Sequence, residues 1–579
     1  MRLIPQRRHI INLTIILAVG AIAYCNSFHN EFLWDDRPLI VDNTNIKSFH
    51  NVTRVFEKGI FEESGGFNFY RPMHMLVNML DYSIWKLEPF GYHLTNFILH
   101  FAAACLVYWI LLYFLKEGLV ALFLSLIFIA HPSATEVVTF ISTRADALAL
   151  VFILASFILF IKSRRPVSLL FFALACLSKE VAVMFPVFLF LFLLNRKKSV
   201  LSSWPYFAIS LGAMALRYAA FKNTESLFIN TACIPLYIRL INFPLIIAKY
   251  VFMFAAPGPF VFERTVTVYP SLLNMPVLLS VTAALPAVFF LVKFYRSRTA
   301  LGAMWFLAFI FPVSGIIPIN AFLYHHWLYI PSLGLLMILG DIIIRIYKKA
   351  PRYILFIAAA AILILLTLLT LKQNNYFKDE VTFYEETLKK TPQSARIHYN
   401  LGLVYIEKGL IQKGIDSFKK AIELRPGYAE AYVNLGYTYQ KMGRNREAQL
   451  WFEKGAAAAP MSYLPYYYLA NLYSDTGRLK ESIEFYKKAL GIKTDKPSIY
   501  YDMAVACDKA GDIKSAEAAY RKTLELDASY TNACINLGAL LAQEGRPENA
   551  KEVWERGLKR EPDNPDLKKN LERLKKILK

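Results

Sequence analysis

The sequence predicts an all-α protein in two unlike parts: a polytopic membrane helix bundle with about eleven crossings, then a stack of short helix pairs. Two observations carry this. Over the first 371 residues, apolar runs long enough to span a bilayer follow one another, separated by polar loops, of which the first is long. Beyond them, glycine returns at 409, 443, 477, 511 and 545, always 34 residues apart. The whole chain of 579 residues is 56% hydrophobic with a mean hydropathy of +0.35, too apolar for an ordinary soluble protein of this length.

The runs that read most clearly as spans lie near 9–28, 94–115, 203–220, 274–295, 300–318, 327–347 and 353–371. Residues 119–195 divide into four further crossings, interrupted by His131-Pro132 and by Ser178-Lys179-Glu180. The stretch 235–256 carries Arg239 and Lys249 within an apolar run and holds Pro235 and Pro244. Charge at mid-bilayer is costly, so it is read as an interfacial or re-entrant segment. Arg2, Arg7 and Arg8 precede the first run, and no small-x-small cleavage site follows it, which favours an uncleaved first span.

The net charge of +21 does not indicate nucleic acid as a partner. The excess sits in short clusters beside apolar runs: Arg7-Arg8, Lys162 with Arg164-Arg165, Arg196-Lys197-Lys198, Arg296 with Arg298, and Lys348-Lys349. That is the positive-inside pattern. It places the N-terminus inside and the C-terminal half outside. Polar motifs then gather at the outer face: the loop at 34–36, His131 to Asp146, Ser178-Lys179-Glu180 and Tyr324-His325-His326. The six cysteines contain no C-x-x-C pair, so neither a zinc site nor a disulfide framework is indicated.

In the second part, proline recurs at 392, 426, 460 and 562, and an aromatic column runs Phe418, Phe452, Tyr486, Tyr520, Trp554. A large-then-small column runs Leu401-Gly402, Leu435-Gly436, Leu469-Ala470, Met503-Ala504 and Leu537-Gly538. This resembles the tetratricopeptide pattern, in which the small residue lets paired helices approach and the glycine relieves the turn. Five repeats span 395–561, and 562–579 reads as a capping helix. The full division is 1–371 for the membrane part, with a first outer loop at 29–92, then 372–394 as a linker and 395–579 for the repeats and cap. Such arrays present a concave surface to peptides or proteins.

The chemistry-bearing residues lie in the membrane part. Asp35 and Asp36 open the first outer loop; a carboxylate there can take a proton from a hydroxyl, or hold a divalent metal through hard oxygens. Arg71 offers a planar fork suited to phosphate. His93, Asn96 and His100 share one helical face. His131, Glu136, Arg144, Asp146, Lys179 and Glu180 are ionisable groups at span ends, where each must pair with another group or contact substrate. His325 and His326 are adjacent and do not share a helix face, so they signal a metal only weakly. These motifs fix no cofactor, and a divalent metal on the carboxylates is the one candidate.

Taken in order, these motifs resemble the transmembrane and tetratricopeptide-repeat-containing O-mannosyltransferases and their bacterial relatives. The resemblance rests on Phe32-Leu33-Trp34-Asp35-Asp36, Arg71-Pro72, Asp81-Tyr82 and Gly91 to Asn96. It continues through His131-Pro132 with Thr135-Glu136, Arg144-Ala145-Asp146, Ser178-Lys179-Glu180 and Leu328-Tyr329-Ile330-Pro331. It implies a GT-C glycosyltransferase fold, a polyprenyl-phosphate-linked sugar as donor and a protein acceptor presented by the repeats. It implies that an acidic residue of the first outer loop is the catalytic one, here Asp35 or Asp36, of which Asp36 is favoured for its nearness to Arg37. Arg71, Arg144, Lys179 and His326 are the candidates for donor phosphate. His93, His131, Glu136, Asp146, Glu180 and His325 would line the site. The family commonly has an acidic–Arg or acidic–His pair where this chain has His325-His326, so His326 would grip phosphate only when protonated, or Lys179 would take its place. The implied location is a bacterial inner membrane with periplasmic repeats, or an endoplasmic reticulum membrane with lumenal ones. Two other readings compete: a non-enzymatic anchored scaffold, and an enzyme that glycosylates lipid or polysaccharide.

Overall fold

The computed structural model describes residues 6–57, 69–221, 234–258, 261, 266–319, 321–347 and 351–577. Arg2, Cys233, Lys348-Lys349 and the stretch 58–68 of the first outer loop lie outside the described residues. Every regular element among those described is helical. The chain divides into two compact units, Met1–Thr391 and Pro392–Lys579.

The first unit runs α1 (Gln6–Tyr24), α2 (Val52–Glu57), α3 (Pro72–Trp85), α4 (Pro89–Leu115), α5 (Gly118–Ala130), α6 (Thr135–Thr139), α7 (Ala145–Ile161) and α8 (Arg165–Ser178). It continues with α9 (Phe185–Asn195), α10 (Trp204–Phe221), α11 (Leu236–Ala255), α12 (Met275–Lys293), α13 (Arg298–Ile310), α14 (Ser332–Tyr347), α15 (Arg352–Asn374) and α16 (Glu380–Leu388). Prolines 72 and 89 stand at the first helical position of α3 and α4, where the missing N–H costs nothing. Among the described residues, six helices are long and apolar enough to cross a membrane: α1, α4, α11, α12 and the stretches Ile141–Ile161 and Arg352–Phe377. A seventh forms if Gly118–Ala130 and Pro132–Thr139, bent by 49° at His131, make one span. The bend falls where Pro132 cannot continue the ladder. Helices α13 and α14 pack backbone to backbone: a Cβ on Gly302 would meet the Gly334 carbonyl at 2.6 Å.

Two segments add detail to the reading of the sequence. Helix α11, taken there as interfacial or re-entrant, is a continuous 20-residue helix that meets the same length and composition test as the spans. Both of its ends nevertheless bond to one end of the bundle. Arg239 donates to the Ile316 carbonyl at 2.5 Å, beyond the C-terminus of α13, and the Phe254 carbonyl accepts from His131, at the C-terminus of α5. The second is 372–394, the linker, which is largely helical. Helix α15 runs to Asn374, a tight turn covers Asn375–Phe377, and α16 follows. The anchor is side-chain chemistry that composition does not reveal. Asn374 donates to the Ala23 carbonyl at 2.8 Å, Asn26 donates to the Leu371 carbonyl at 2.9 Å, and buried Phe377 and Phe383 meet Phe140. Helices α1 and α15 therefore finish at the same end of the bundle.

The second unit is five antiparallel helix pairs: α17–α18 (Ala395–Glu407, Ile411–Leu424), α19–α20 (Ala429–Lys441, Asn445–Ala458), α21–α22 (Leu464–Asp475, Leu479–Ile492), α23–α24 (Pro497–Lys509, Ile513–Leu526) and α25–α26 (Thr531–Gln543, Pro547–Leu558). Each turn glycine has a positive φ, between 72° and 77°, which explains its exact recurrence. The small column works as expected: a Cβ on Gly436 would meet the Phe452 ring at 2.5 Å. Helix α27 (Pro565–Ile577) closes the stack with buried Leu567, Leu571 and Leu574.

Candidate active site

The acidic loop after α1 is built around Asp36. Its carboxylate accepts from the Leu33 N–H at 3.1 Å and the Ser142 N–H at 2.7 Å, and the residue is wholly buried. Burial pushes its pKa up to about 8, against the two backbone donors that lower it. Asp36 thus ties the loop to the turn before α7. Trp34 takes a left-handed φ of 39°, a conformation that a non-glycine residue holds only when its surroundings enforce it. Those surroundings come from α16: Glu380 accepts from the Trp34 N–H at 3.1 Å and pairs with Arg37 at 3.6 Å, and the Trp34 ring packs on Phe383 and Tyr384. Asp35, between these two restraints, is only half-buried.

A layer of cations lies at the same end of the bundle. Arg144 is fully buried and donates to Asn96 at 2.9 Å, Asn78 at 2.9 Å, Asp81 at 2.6 Å and the Tyr92 carbonyl at 3.1 Å. This consumes four of its five N–H groups. Lys179 pairs with Asp146, both buried. Arg71 grips Glu180 with two parallel bonds, Nε to Oε1 at 3.1 Å and Nη2 to Oε2 at 2.9 Å. Among these groups sits His74 on α3, fully buried, with neither ring nitrogen hydrogen-bonded. Burial, and then the charges of Arg144, Arg71 and Lys179, hold its pKa well below the usual histidine range. It is a neutral imidazole with an unused donor and an unused acceptor. One turn on, the Asn78 amide nitrogen is likewise unpartnered, as is Nε of Arg217 on α10.

Three further histidines are held by hydrogen bonds. His131 donates through Nε2 to the Phe254 carbonyl at 3.0 Å, while Nδ1 accepts from the Ser133 N–H at 3.2 Å. His93 donates to the Asn30 carbonyl at 3.1 Å. His326 is held by Glu136 twice, at 3.1 Å through its backbone N–H and at 2.7 Å through Nδ1, which leaves Nε2 for any other partner. His325 is buried next to it. Among the described residues, no three His, Cys, Asp or Glu side chains gather closely enough to hold a metal ion.

Comparison with known proteins bears on both units. Tetratricopeptide-repeat family models match residues 393–461, 465–496 and 509–574. A protein O-mannosyl-transferase of Caenorhabditis elegans, F38B6.6, is 26% identical over 441 residues, which cover 71% of this chain and 62% of that protein. The human protein O-mannosyl-transferases TMTC3 and TMTC2 are 31% and 32% identical over 160 and 149 residues. This chain is therefore similar in sequence to proteins named protein O-mannosyl-transferases. It spans 62% of the nematode relative and less than a fifth of the two human ones, 17% and 18%. Among solved structures, the MamA protein is similar at 23% identity and a TM-score of 0.27, covering 29% of this chain and 92% of that one. YrrB, described as a tetratricopeptide protein with an unusual peptide-binding site, is similar at 18% identity and a TM-score of 0.28, covering 32% of this chain and 95% of that one.

Apart from the Glu136–His326 pair and its neighbour His325, the residues singled out in the sequence divide into three kinds. Arg71, Glu180, Lys179 and Asp146 form two ion pairs around His74. Asp36, Arg144, His93 and His131 are committed to internal hydrogen bonds and brace the loops. Asp35 is the more exposed member of the acidic pair, and Asp36 the one committed to backbone hydrogen bonds. The sequence reading passed over His74, Asn78 and Arg217. The first two were legible in principle, since positions 74, 78 and 81 fall on one face of a helix that opens at Pro72.

Proposed function

We propose that this membrane protein is a GT-C-type glycosyltransferase that moves a sugar from a polyprenyl-phosphate-linked donor to a serine or threonine hydroxyl of a protein, at the face bearing the acidic loop. The observation that carries this reading is the pinned acidic loop, in a chain whose curated relatives are named protein O-mannosyl-transferases. Asp35 is the general base. As the acceptor oxygen attacks the anomeric carbon, the bond from that carbon to the phosphate oxygen breaks, polyprenyl phosphate leaves, and the hydroxyl proton passes to the Asp35 carboxylate. Asp36 and Glu380 hold the loop on either side, so that the base does not have to be oriented during the reaction.

Donor phosphate is assigned to Arg71 and Lys179, with Arg217 and the unused nitrogens of His74 and Asn78 beside them. Their carboxylate partners, Glu180 and Asp146, occupy the cations until the dianionic or monoanionic phosphate displaces them. Arg144 is reassigned from phosphate binding to bracing, because its donors are spent inside the protein. His326 keeps Nε2 for the donor or acceptor. The repeats bind the acceptor polypeptide. The scaffold reading gives no role to buried, unbonded His74, and glycosylation of lipid or polysaccharide gives none to a peptide-type repeat array. Comparative mass spectrometry of secreted and membrane proteins from wild-type and deletion cells tests the reading: hexose-modified serine and threonine peptides should disappear on deletion. Unchanged protein glycosylation with altered lipid or polysaccharide would replace it.

A further inference from the structure

A second site lies at the opposite end of the bundle from the acidic loop, between the C-terminal ends of α4, α7 and α9. A cavity of about 640 Å³ opens there, with Tyr113, Phe160 and Phe192 on its apolar wall and Arg165, Lys198 and Ser199 on its polar one. Two loops ring it with six exposed cations: Lys162, Arg164 and Arg165 from one, Arg196, Lys197 and Lys198 from the other. Among the described residues none of the six forms an ion pair; Arg165 and Arg196 only lie over aromatic rings, Phe160 at 5.2 Å and Phe114 at 5.8 Å. The charge is therefore unneutralised by protein. Next to the cavity, Leu201 and Trp204 are 71% and 63% exposed, an apolar surface that water does not favour.

We infer that this cavity binds the headgroup of an anionic glycerophospholipid of the inner leaflet. The positive-inside rule alone explains cations at this face, but not a recess that combines two of them with hydroxyls and an aromatic wall. Basic pockets between spans suit a phosphodiester, whose acyl chains then run along Leu201 and Trp204. Charge complementarity selects an anionic headgroup over a zwitterionic one. The site is independent of the sugar-transfer reading.

Native mass spectrometry of the purified full-length protein, titrated in detergent with phosphatidylglycerol, phosphatidylcholine or inorganic phosphate, tests the site. One phosphatidylglycerol per chain should be retained in preference to phosphatidylcholine. With each nearby cation contributing about fivefold, Arg165→Gln combined with Lys198→Gln should weaken binding about 25-fold. Ser202→Trp, which fills the cavity without changing charge, should abolish it, and Arg7→Gln with Arg8→Gln should leave it unchanged. Equal retention of both lipids, equal loss in the Arg7/Arg8 variant, or wild-type binding by Ser202→Trp would each overturn the proposal. Displacement of the lipid by millimolar inorganic phosphate would make this a free-anion site instead.

Discussion

The two adjacent aspartates should respond to the same substitution in opposite ways. Asp35→Asn removes the carboxylate that takes the acceptor proton, and a positioned base typically contributes about 10²–10⁴-fold to the rate. Asparagine nearly preserves the volume of this half-buried side chain, and the bonds to the Leu33 and Ser142 N–H groups belong to Asp36, so folding should be little changed. Asp36→Asn has the other effect. Both carboxylate oxygens of Asp36 accept from backbone N–H groups, and an amide turns one of those acceptors into a donor facing a donor. A buried group left unsatisfied costs about 1–3 kcal/mol, and the loop tying α1 to α7 should loosen accordingly. Transfer assayed with a synthetic lipid-linked sugar and a serine-containing peptide, alongside thermal unfolding of the same preparations, separates the two. Asp35→Asn should keep its melting temperature and lose rate. Asp36→Asn should lose melting temperature, with a smaller loss of rate that returns on cooling. If Asp35→Asn retained wild-type rate at saturating donor while Asp36→Asn lost it without destabilisation, the assignment of the base to Asp35 would fall.

Further outcomes follow from the same geometry. Because the Asp36 pKa is raised above its unfolded value, to about 8, its contribution favours the folded state most below about pH 4 and is lost as pH rises through 8; a flatter pH dependence of melting in Asp36→Asn between pH 5 and 8 would show it. Asp81→Asn strands the buried Arg144 charge, and breaking such a pair costs about 3–5 kcal/mol, so denaturant titration should show severe destabilisation. Glu380→Gln loses the charge that holds Arg37 and weakens its hold on the Trp34 N–H; kcat should drop while KM for the donor stays near wild type, whereas a rise in donor KM alone would remove Glu380 from loop positioning. Cysteines placed at His50 and Lys389 should be labelled from one side of the membrane and a cysteine at Lys197 from the other, since α1 and α15 finish at the same end of the bundle.

Much of this was legible in the sequence, and what was not has a physical reason. The repeats could be read residue by residue because their constraints are local: a glycine forced to positive φ and a small residue under an aromatic ring recur wherever the turn recurs. The gathering of polar motifs at one face followed from charge sidedness. Roles within that face did not, since Asp35 and Asp36 are the same residue type one position apart and only packing against Ser142 distinguishes them. Likewise Arg71 and Arg144 look alike in sequence, yet one holds a partly exposed carboxylate and the other is sealed by four partners. Glu380 escaped notice because it lies 344 residues beyond Asp36 in an unremarkable charged stretch. His74 is a lone histidine, and its significance comes from having no partner where burial demands one.

The most direct test of sugar transfer to protein is reconstitution. Purified full-length protein in phospholipid vesicles would be given radiolabelled polyprenyl-phosphate mannose and a mixture of secreted proteins as acceptors. We predict label on protein, released as mannose by alkaline β-elimination and absent with Asp35→Asn. Label that remained in lipid, or passed only to a glycolipid or polysaccharide, would contradict the proposal.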